Sequence, residues 1–220
     1  MGEEKNKLKM KGYIFDLDGV IVDTAKFHFV AWKKIGEEFG FSLTHELNEQ
    51  LKGVSRVDSL QKILHWAGVS VSDEKFNELA TRKNEDYLSY VAQMNENDIL
   101  PGVKTFLQKL RSEGKKIALG SASKNARLIL EKTGIISLFD AIVDGNDVTK
   151  AKPDPEVFII AAQKIGVKNE ECVVFEDSEA GVQAAKTAGM KAIGIGSADV
   201  LHQADEVFAD FEQVIQKGTL

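Results

Sequence analysis

Short apolar runs alternate with amphipathic stretches along most of this chain. The runs cover 12–16, 116–120, 141–143, 172–175 and 192–195, with a weaker one at 206–209. Their length and apolar content predict buried strands. Between most of them, apolar positions recur at helical spacing. Val103, Phe106, Leu107 and Leu110 mark a helix over 103–113, and the same spacing predicts helices over 126–133, 155–165 and 178–188. The last three stop at Gly134, Gly166 and Gly189, the residue type expected just past a helix C-terminus. This alternation predicts an α/β fold, a mainly parallel sheet with helices on both faces.

One stretch breaks the alternation. Between Thr24 and about residue 97 there is no convincing strand, and amphipathic patterns predict helices over 25–39, 55–67 and 73–91. The expected organisation is a core formed by 1–23 and 97–220, interrupted by an all-α insert at 24–96. The insert leaves the sheet after its first strand and returns near Leu100-Pro101-Gly102.

Composition narrows the class. A chain of 220 residues, 43% hydrophobic, can bury about 70% of its unfolded surface. A formal net charge of −6 argues against general affinity for nucleic acid or anionic membranes. Cys172 is the only cysteine, so no internal disulfide forms, and its apolar surroundings predict a buried strand thiol. The first ten residues are polar and Lys-rich, with no apolar leader. Asn6 stands where an acylation signal after Gly2 requires Ser or Thr, and no apolar stretch approaches membrane-spanning length. The expectation is a cytoplasmic, monomeric protein.

Chemistry collects at the strand ends. In a parallel sheet with right-handed crossovers, the C-terminal strand ends share one edge, and ligands bind there. The first run ends at Asp16 and Asp18, the second at Ser121, and the fourth at Glu176 and Asp177, while Lys152 follows the third. Four carboxylates in one crevice repel and raise their own pKa values. A hard divalent cation resolves this. Mg²⁺ prefers oxygen ligands, and no Cys/His cluster competes for a softer metal. Ser121 opens the run Ser121-Ala122-Ser123-Lys124-Asn125 before a helix, where free N–H groups can bind an anion and Ser123 can cap. Pro153 biases Lys152 towards an extended backbone, with Asp154 expected as N-cap and Pro155 at the first helical position. An ammonium restricted in this way can neutralise both a nucleophile and a transferring phosphoryl group. Taken singly, Ser123 reads equally as an ordinary cap and Lys152 as a solvated loop lysine. Ala180, Gly181, Ala184, Ala185 and Ala188 read as small residues for helix–sheet packing, and Trp32 and Trp66 as packing residues.

Asp16-Leu17-Asp18-Gly19-Val20-Ile21, Ser121, Lys152 and Glu176-Asp177, in that order, resemble the motifs of the haloacid-dehalogenase-like hydrolase superfamily. The resemblance implies a Rossmann-like core with a helical cap inserted after the first strand, one Mg²⁺ per chain, and a phosphoaspartate intermediate. By position, it makes Asp16 the nucleophile and Asp18 the general acid–base. It places Mg²⁺ on Asp16, the backbone carbonyl of Asp18, Glu176 and Asp177, and phosphoryl oxygens on Ser121, Ala122 and Lys152.

The insert carries a narrower resemblance. Residues 48–56 (Asn48-Glu49-Gln50-Leu51-Lys52-Gly53-Val54-Ser55-Arg56) and the following Asp58-Ser59-Leu60, together with Thr24, His28 and Trp32, are similar to the caps of the superfamily's sugar-phosphate mutases. That implies substrate contacts from Thr24, His28, Lys52, Gly53, Val54, Arg56, Ser59, Ser123, Lys124 and Asn125. The implied reaction interconverts β-D-glucose 1-phosphate and glucose 6-phosphate through β-glucose 1,6-bisphosphate, which also primes the enzyme. Such a reaction needs a second phosphate site away from the metal. The guanidinium fork of Arg56 suits it, with Lys124 and Asn125 completing it from the core side. Two other readings stay open on these residues: a Mg²⁺-dependent small-sugar phosphatase and a non-catalytic sugar-phosphate binder.

Overall fold

The computed structural model describes residues 10–218. The reading that the first residues hold no leader or acylation signal lies outside the described residues. Six strands form one sheet: β1 (Gly12–Phe15), β2 (Lys116–Gly120), β3 (Ala141–Val143), β4 (Cys172–Glu176), β5 (Lys191–Ile195) and β6 (Glu206–Phe208). Their order is β3-β2-β1-β4-β5-β6, and every neighbouring pair is parallel. This is the Rossmann-like arrangement, with β1 central, so that Asp16 leaves the sheet at its middle.

The alternation of side chains along β1 divides the core. Tyr13 and Phe15 enter one apolar cluster and Ile14 the other. The first cluster is closed by α5 (Val103–Ser112), α6 (Ala126–Lys132) and α9 (Phe211–Lys217), the second by α7 (Glu156–Ile165) and α8 (Glu179–Thr187). Phe15 stacks on Phe175 at 4.8 Å between ring centroids, with Phe106 and Phe211 against them. Each such buried Phe stabilises the fold by roughly 1.5–3 kcal/mol. The amide of Asp16 donates to the Phe175 carbonyl at 3.0 Å, extending the ladder to the first carboxylate.

The segment between β1 and α5 is helical: α1 (Ala25–Glu37), α2 (His45–Glu49), α3 (Arg56–Trp66) and α4 (Asp73–Val91). It has its own apolar cluster, built on Trp32, Ile35, Leu60, Ile63 and Leu79. Tyr87 and Val91, at the far end of α4, belong instead to the core cluster. Trp66 packs against the cap cluster. We propose the boundaries 24 and 96 for this cap.

Two helices add to those the sequence predicts. Five-residue α2 is too short to show a period, and Thr44 starts it by accepting from the Leu47 amide. Asp210 does the same for α9 through the Gln213 amide. Two expected caps are displaced. Asn125, not Ser123, occupies the N-cap of α6, and the Ser123 hydroxyl accepts from the Asn125 amide at 3.2 Å. Pro155 takes the N-cap of α7, while Asp154 accepts from the Glu156 amide at 3.0 Å. Among the described residues no helix is long and apolar enough to cross a membrane.

Candidate active site

Asp16 is 4% exposed, Lys152 3% and Glu176 0%, so an ammonium and two carboxylates are shut in at the end of β1 and β4. Lys152 Nζ donates to Asp16 Oδ1 at 2.9 Å, to Glu176 Oε1 at 2.6 Å and to the Gly120 carbonyl at 3.2 Å. A solvated loop lysine is therefore ruled out. Burial opposes the Lys152 charge, but Asp16 and Glu176 outweigh it and raise its pKa.

Glu176 uses both oxygens. Oε1 meets Lys152, and Oε2 accepts from the amides of Asp177 and Ser178 and from the Ser178 hydroxyl. Gly181 makes room for it, because a Cβ there would lie 1.9 Å from the Glu176 carboxyl carbon. The small residues of α8 thus do more than permit packing on the sheet. In an ordinary helix, Gly→Ala stabilises by about 1 kcal/mol. Here Gly181→Ala is expected to destabilise by about 1–3 kcal/mol, as overpacking does. Urea denaturation reads the sign directly, and a stabilised variant would remove this account of Gly181. Gly19 has a related duty: its φ is +77°, and a Cβ would come within 2.3 Å of Asp177 Oδ2.

Asp16, Glu176 and Asp177 offer oxygens that all lie within 4.8 Å of one another. Burial, against the charge of Lys152 and with help from Glu176, Asp18 and Asp177, holds Asp16 well above the carboxylate range. Burial pushes Asp177 up to about 7, with Lys52 opposing and Glu176 adding to it. A buried all-oxygen set with excess negative charge fits Mg²⁺. Asp16 and Asp177 are freer to bind than Glu176, whose oxygens are engaged. The side chain of Asp18 turns to the cap, so only its backbone carbonyl remains for a metal.

Stability should therefore depend on pH with a definite sign. Without metal, the folded state holds the Asp177 proton more tightly than the unfolded chain. That contribution is complete below about pH 4 and is lost as pH rises through about 7. Mg²⁺ competes with that proton and opposes the loss. Melting temperature in EDTA is expected to fall between pH 5 and pH 7, and millimolar Mg²⁺ to flatten the fall. Parallel curves with and without Mg²⁺ would count against metal binding at these carboxylates.

The cap supplies the surroundings of Asp18. Thr24 Oγ1 donates to Asp18 Oδ1, which explains why this N-cap threonine makes no side-chain cap bond for α1. His28 Nε2 lies 3.3 Å and Tyr87 Oη 3.4 Å from the same oxygen. Lys83 Nζ reaches His28 Nδ1 at 2.7 Å, so a protonated Lys83 makes Nδ1 the acceptor and leaves Nε2–H to donate to Asp18. Burial lowers the pKa of His28, and Lys83 adds to this. Burial raises the pKa of Asp18, but its bonds to His28 and Thr24 and the charge of Lys83 outweigh it. Burial also brings Lys83 down to about 7 against the pull of Asp18.

A cavity of about 470 Å³ lies between cap and core. Asp16, Asp18 and Asp177 line its floor; His28, Lys52, Gly53, Val54, Arg56 and Ser59 line the cap side. Ala122, Ser123, Lys124 and Asn125 line the core side. Thr24, Ser121, Lys152 and Glu176 stand behind this wall, all buried. The Ser121 hydroxyl accepts from the Ser123 amide at 3.1 Å. Lys52 spans the two parts, with Nζ 3.0 Å from Glu49 and 3.3 Å from Asp177. Asn84 bridges them too, accepting from Asn125 Nδ2 at 3.0 Å. Arg56 opens α3 in the cavity wall, and among the described residues it has no carboxylate partner.

Sequence reading missed Lys83, Asn84 and Tyr87. A signal was present: Leu79, Lys83, Tyr87 and Val91 form one i, i+4 stripe on α4, and all are buried. A lysine on the apolar stripe of a helix marks a cation with a buried task.

The fold, the order of the strand-end groups and the inserted cap define a class. The chain belongs to the haloacid dehalogenase-like hydrolases, whose family profile matches residues 13–195. Over 200 residues it is 44% identical to the β-phosphoglucomutase of Bacillus subtilis, covering 90% of this chain and 88% of that protein. The crystal structure of the Clostridium difficile β-phosphoglucomutase superposes with a TM-score of 0.89 at 38% identity, covering 94% of this chain and 96% of that one. A phosphorylated carbohydrates phosphatase of Thermotoga maritima is 31% identical over 84% of each chain.

Proposed function

We propose that this enzyme is a β-phosphoglucomutase, interconverting β-D-glucose 1-phosphate and glucose 6-phosphate. The observation that carries this is Arg56, a guanidinium with no carboxylate partner among the described residues, in the same cavity as Asp16. Transfer to water needs one phosphate site, whereas a bisphosphorylated sugar needs two. Arg56 and Lys124 supply the second.

In this reading, an Asp16 oxygen attacks a phosphorus of β-glucose 1,6-bisphosphate. The bond from that phosphorus to the sugar oxygen breaks, and Asp18 gives that oxygen the proton it took from the attacking sugar hydroxyl in the preceding transfer. In the reverse sense, Asp18 takes the proton of a sugar hydroxyl as it attacks the phosphoaspartate. Such proton transfer is typically worth 10²–10⁴-fold. Thr24, His28 and Tyr87 converge on one Asp18 oxygen and orient the carboxyl. The groups of the 121–123 run hold the transferring oxygens, and Lys152, behind the wall, offsets their charge through its contact with Asp16. Mg²⁺ held by Asp16, Asp177 and the Asp18 carbonyl would offset the charge of the phosphoryl group. The closed cap excludes water from the phosphoaspartate. The same proposal takes the enzyme as a cytoplasmic monomer primed by glucose 1,6-bisphosphate.

The relation to the Thermotoga phosphatase makes net hydrolysis the competing reading. A ³¹P NMR time course with α- and β-glucose 1-phosphate, Mg²⁺ and catalytic bisphosphate separates them. Conversion of the β-anomer to glucose 6-phosphate is expected, and inorganic phosphate outpacing it overturns the mutase reading. Arg56→Ala is expected to lower mutase kcat/KM on the order of 10²–10³-fold, the scale of two charge-assisted hydrogen bonds. Its melting temperature should match the wild type. Undiminished isomerisation in that variant would remove Arg56 from the second site.

A further inference from the structure

Asn48 is 9% exposed, lies in α2, and lines the cavity between cap and core. Its backbone is satisfied: the amide donates to the Thr44 carbonyl at 3.0 Å, and its own carbonyl accepts from the Leu51 amide at 2.9 Å. Its carboxamide is different. Among the described residues, no group hydrogen-bonds it. Among those same residues, no buried side-chain nitrogen or oxygen is sealed from both solvent and partner, so the carboxamide keeps the little open surface this residue has. A carboxamide nine-tenths enclosed, unpartnered within the protein and open only towards the cavity takes its hydrogen bonds from whatever occupies that cavity. An Asn here therefore points to a polar group that arrives from outside the protein.

The character of that group follows from the rest of the wall. Arg56 and Lys52 are cations and suit phosphate oxygens. A carboxamide is neutral, with a donor and an acceptor side by side, and so matches a hydroxyl, which both gives and takes a hydrogen bond. We propose that Asn48 is a specificity-determining residue that reads one ring hydroxyl of the sugar held between the two phosphate sites. This rests on the sugar-phosphate reading above and deepens it.

A site built to hydrogen-bond a hydroxyl discriminates against an analogue that lacks it, because its own buried group is then left unpaired. The test uses the 2-, 3- and 4-deoxy forms of β-glucose 1-phosphate with wild type, Asn48→Leu and Asn48→Ala, following isomerisation and phosphate release together. In the wild type, kcat/KM for one deoxy form is expected to fall about 10–100-fold below the parent sugar. In both variants the parent should fall to the level of that form, closing the gap, while the other forms keep their relative rates. Labelling of Asp16 by acetyl phosphate should be unchanged, which reports an intact fold and core. A gap that persists in the variants, or an equal loss on every substrate, overturns the assignment of Asn48. If the gap appears and closes in phosphate release while no isomerisation occurs, the mutase reading fails and Asn48 stands.

Discussion

Lys152→Met is expected to lower turnover about 10³-fold and to destabilise the protein by about 3–5 kcal/mol. Both effects come from one position. Lys152 Nζ sits 2.9 Å from Asp16 and 2.6 Å from Glu176, both nearly inaccessible, and no water can replace it cheaply. Breaking a buried ion pair by removing one partner leaves an uncompensated charge, which costs more than the pair itself contributes. Glu176 keeps three hydrogen bonds through its other oxygen, so the burden falls mainly on Asp16. Asp16 then takes up a proton more readily and attacks phosphorus less well. Chemical denaturation with and without Mg²⁺, beside steady-state kinetics, checks both effects. A variant within about 1 kcal/mol of wild type in metal-free buffer, the scale of an exposed pair, would show that the ammonium is solvated instead of paired.

Asp16→Asn is expected to separate function from stability. Replacing the proposed nucleophile should lower kcat by about 10⁴-fold or more, the order reached when a covalent nucleophile is removed. No phosphoryl group should become attached to the variant. Its metal-free stability should change less than that of Lys152→Met, because a carboxamide keeps the shape of the carboxylate and Lys152 keeps Glu176 as its counter-ion. The carboxamide oxygen can still accept from Lys152. What the variant loses is the charge that a cation needs, so Mg²⁺ should raise its melting temperature less than that of wild type. Mass spectrometry after incubation with bisphosphate, and melting curves against Mg²⁺, give the two readings. A phosphorylated Asp16→Asn variant would move the nucleophile elsewhere.

The residues behind these expectations differ in how legible they were in the sequence. Asp16, Glu176 and Asp177 are placed together by the sequence pattern alone, because parallel strands put their ends on one edge and a buried run shows its end in the residue types. Strand positions were legible for the same reason: residues 12–15 and 172–175 are apolar on both faces and leave few alternatives. The partners of Lys152 were not legible. A lysine beside a proline reads alike whether its ammonium meets water or carboxylates, and only the meeting of β1, β4 and the 151–155 connection decides. The resemblance makes Thr24 a substrate contact, yet it is buried at the N-cap position of α1 and its hydroxyl goes to Asp18. Gly181 looks like packing until the Glu176 carboxylate is found in the space a Cβ would fill. Asn48 gave no separate signal at all, because α2 is too short to reveal a buried face.

The sequence by itself determined the alternation of strands and helices, the helical stretch that interrupts it after the first strand, and the carboxylates that gather at the sheet edge. Each of these is a local property: spacing along one element, or residue type at its end. The tertiary structure decided which charges are paired and which polar groups are left open. Lys152 and Lys83 are buried with partners, whereas Arg56 and Asn48 face the cavity without one among the described residues. Pairing depends on atoms brought together from distant parts of the chain, and the cost of leaving a buried group unpaired depends on how little water reaches it. Neither can be read along a single strand or helix.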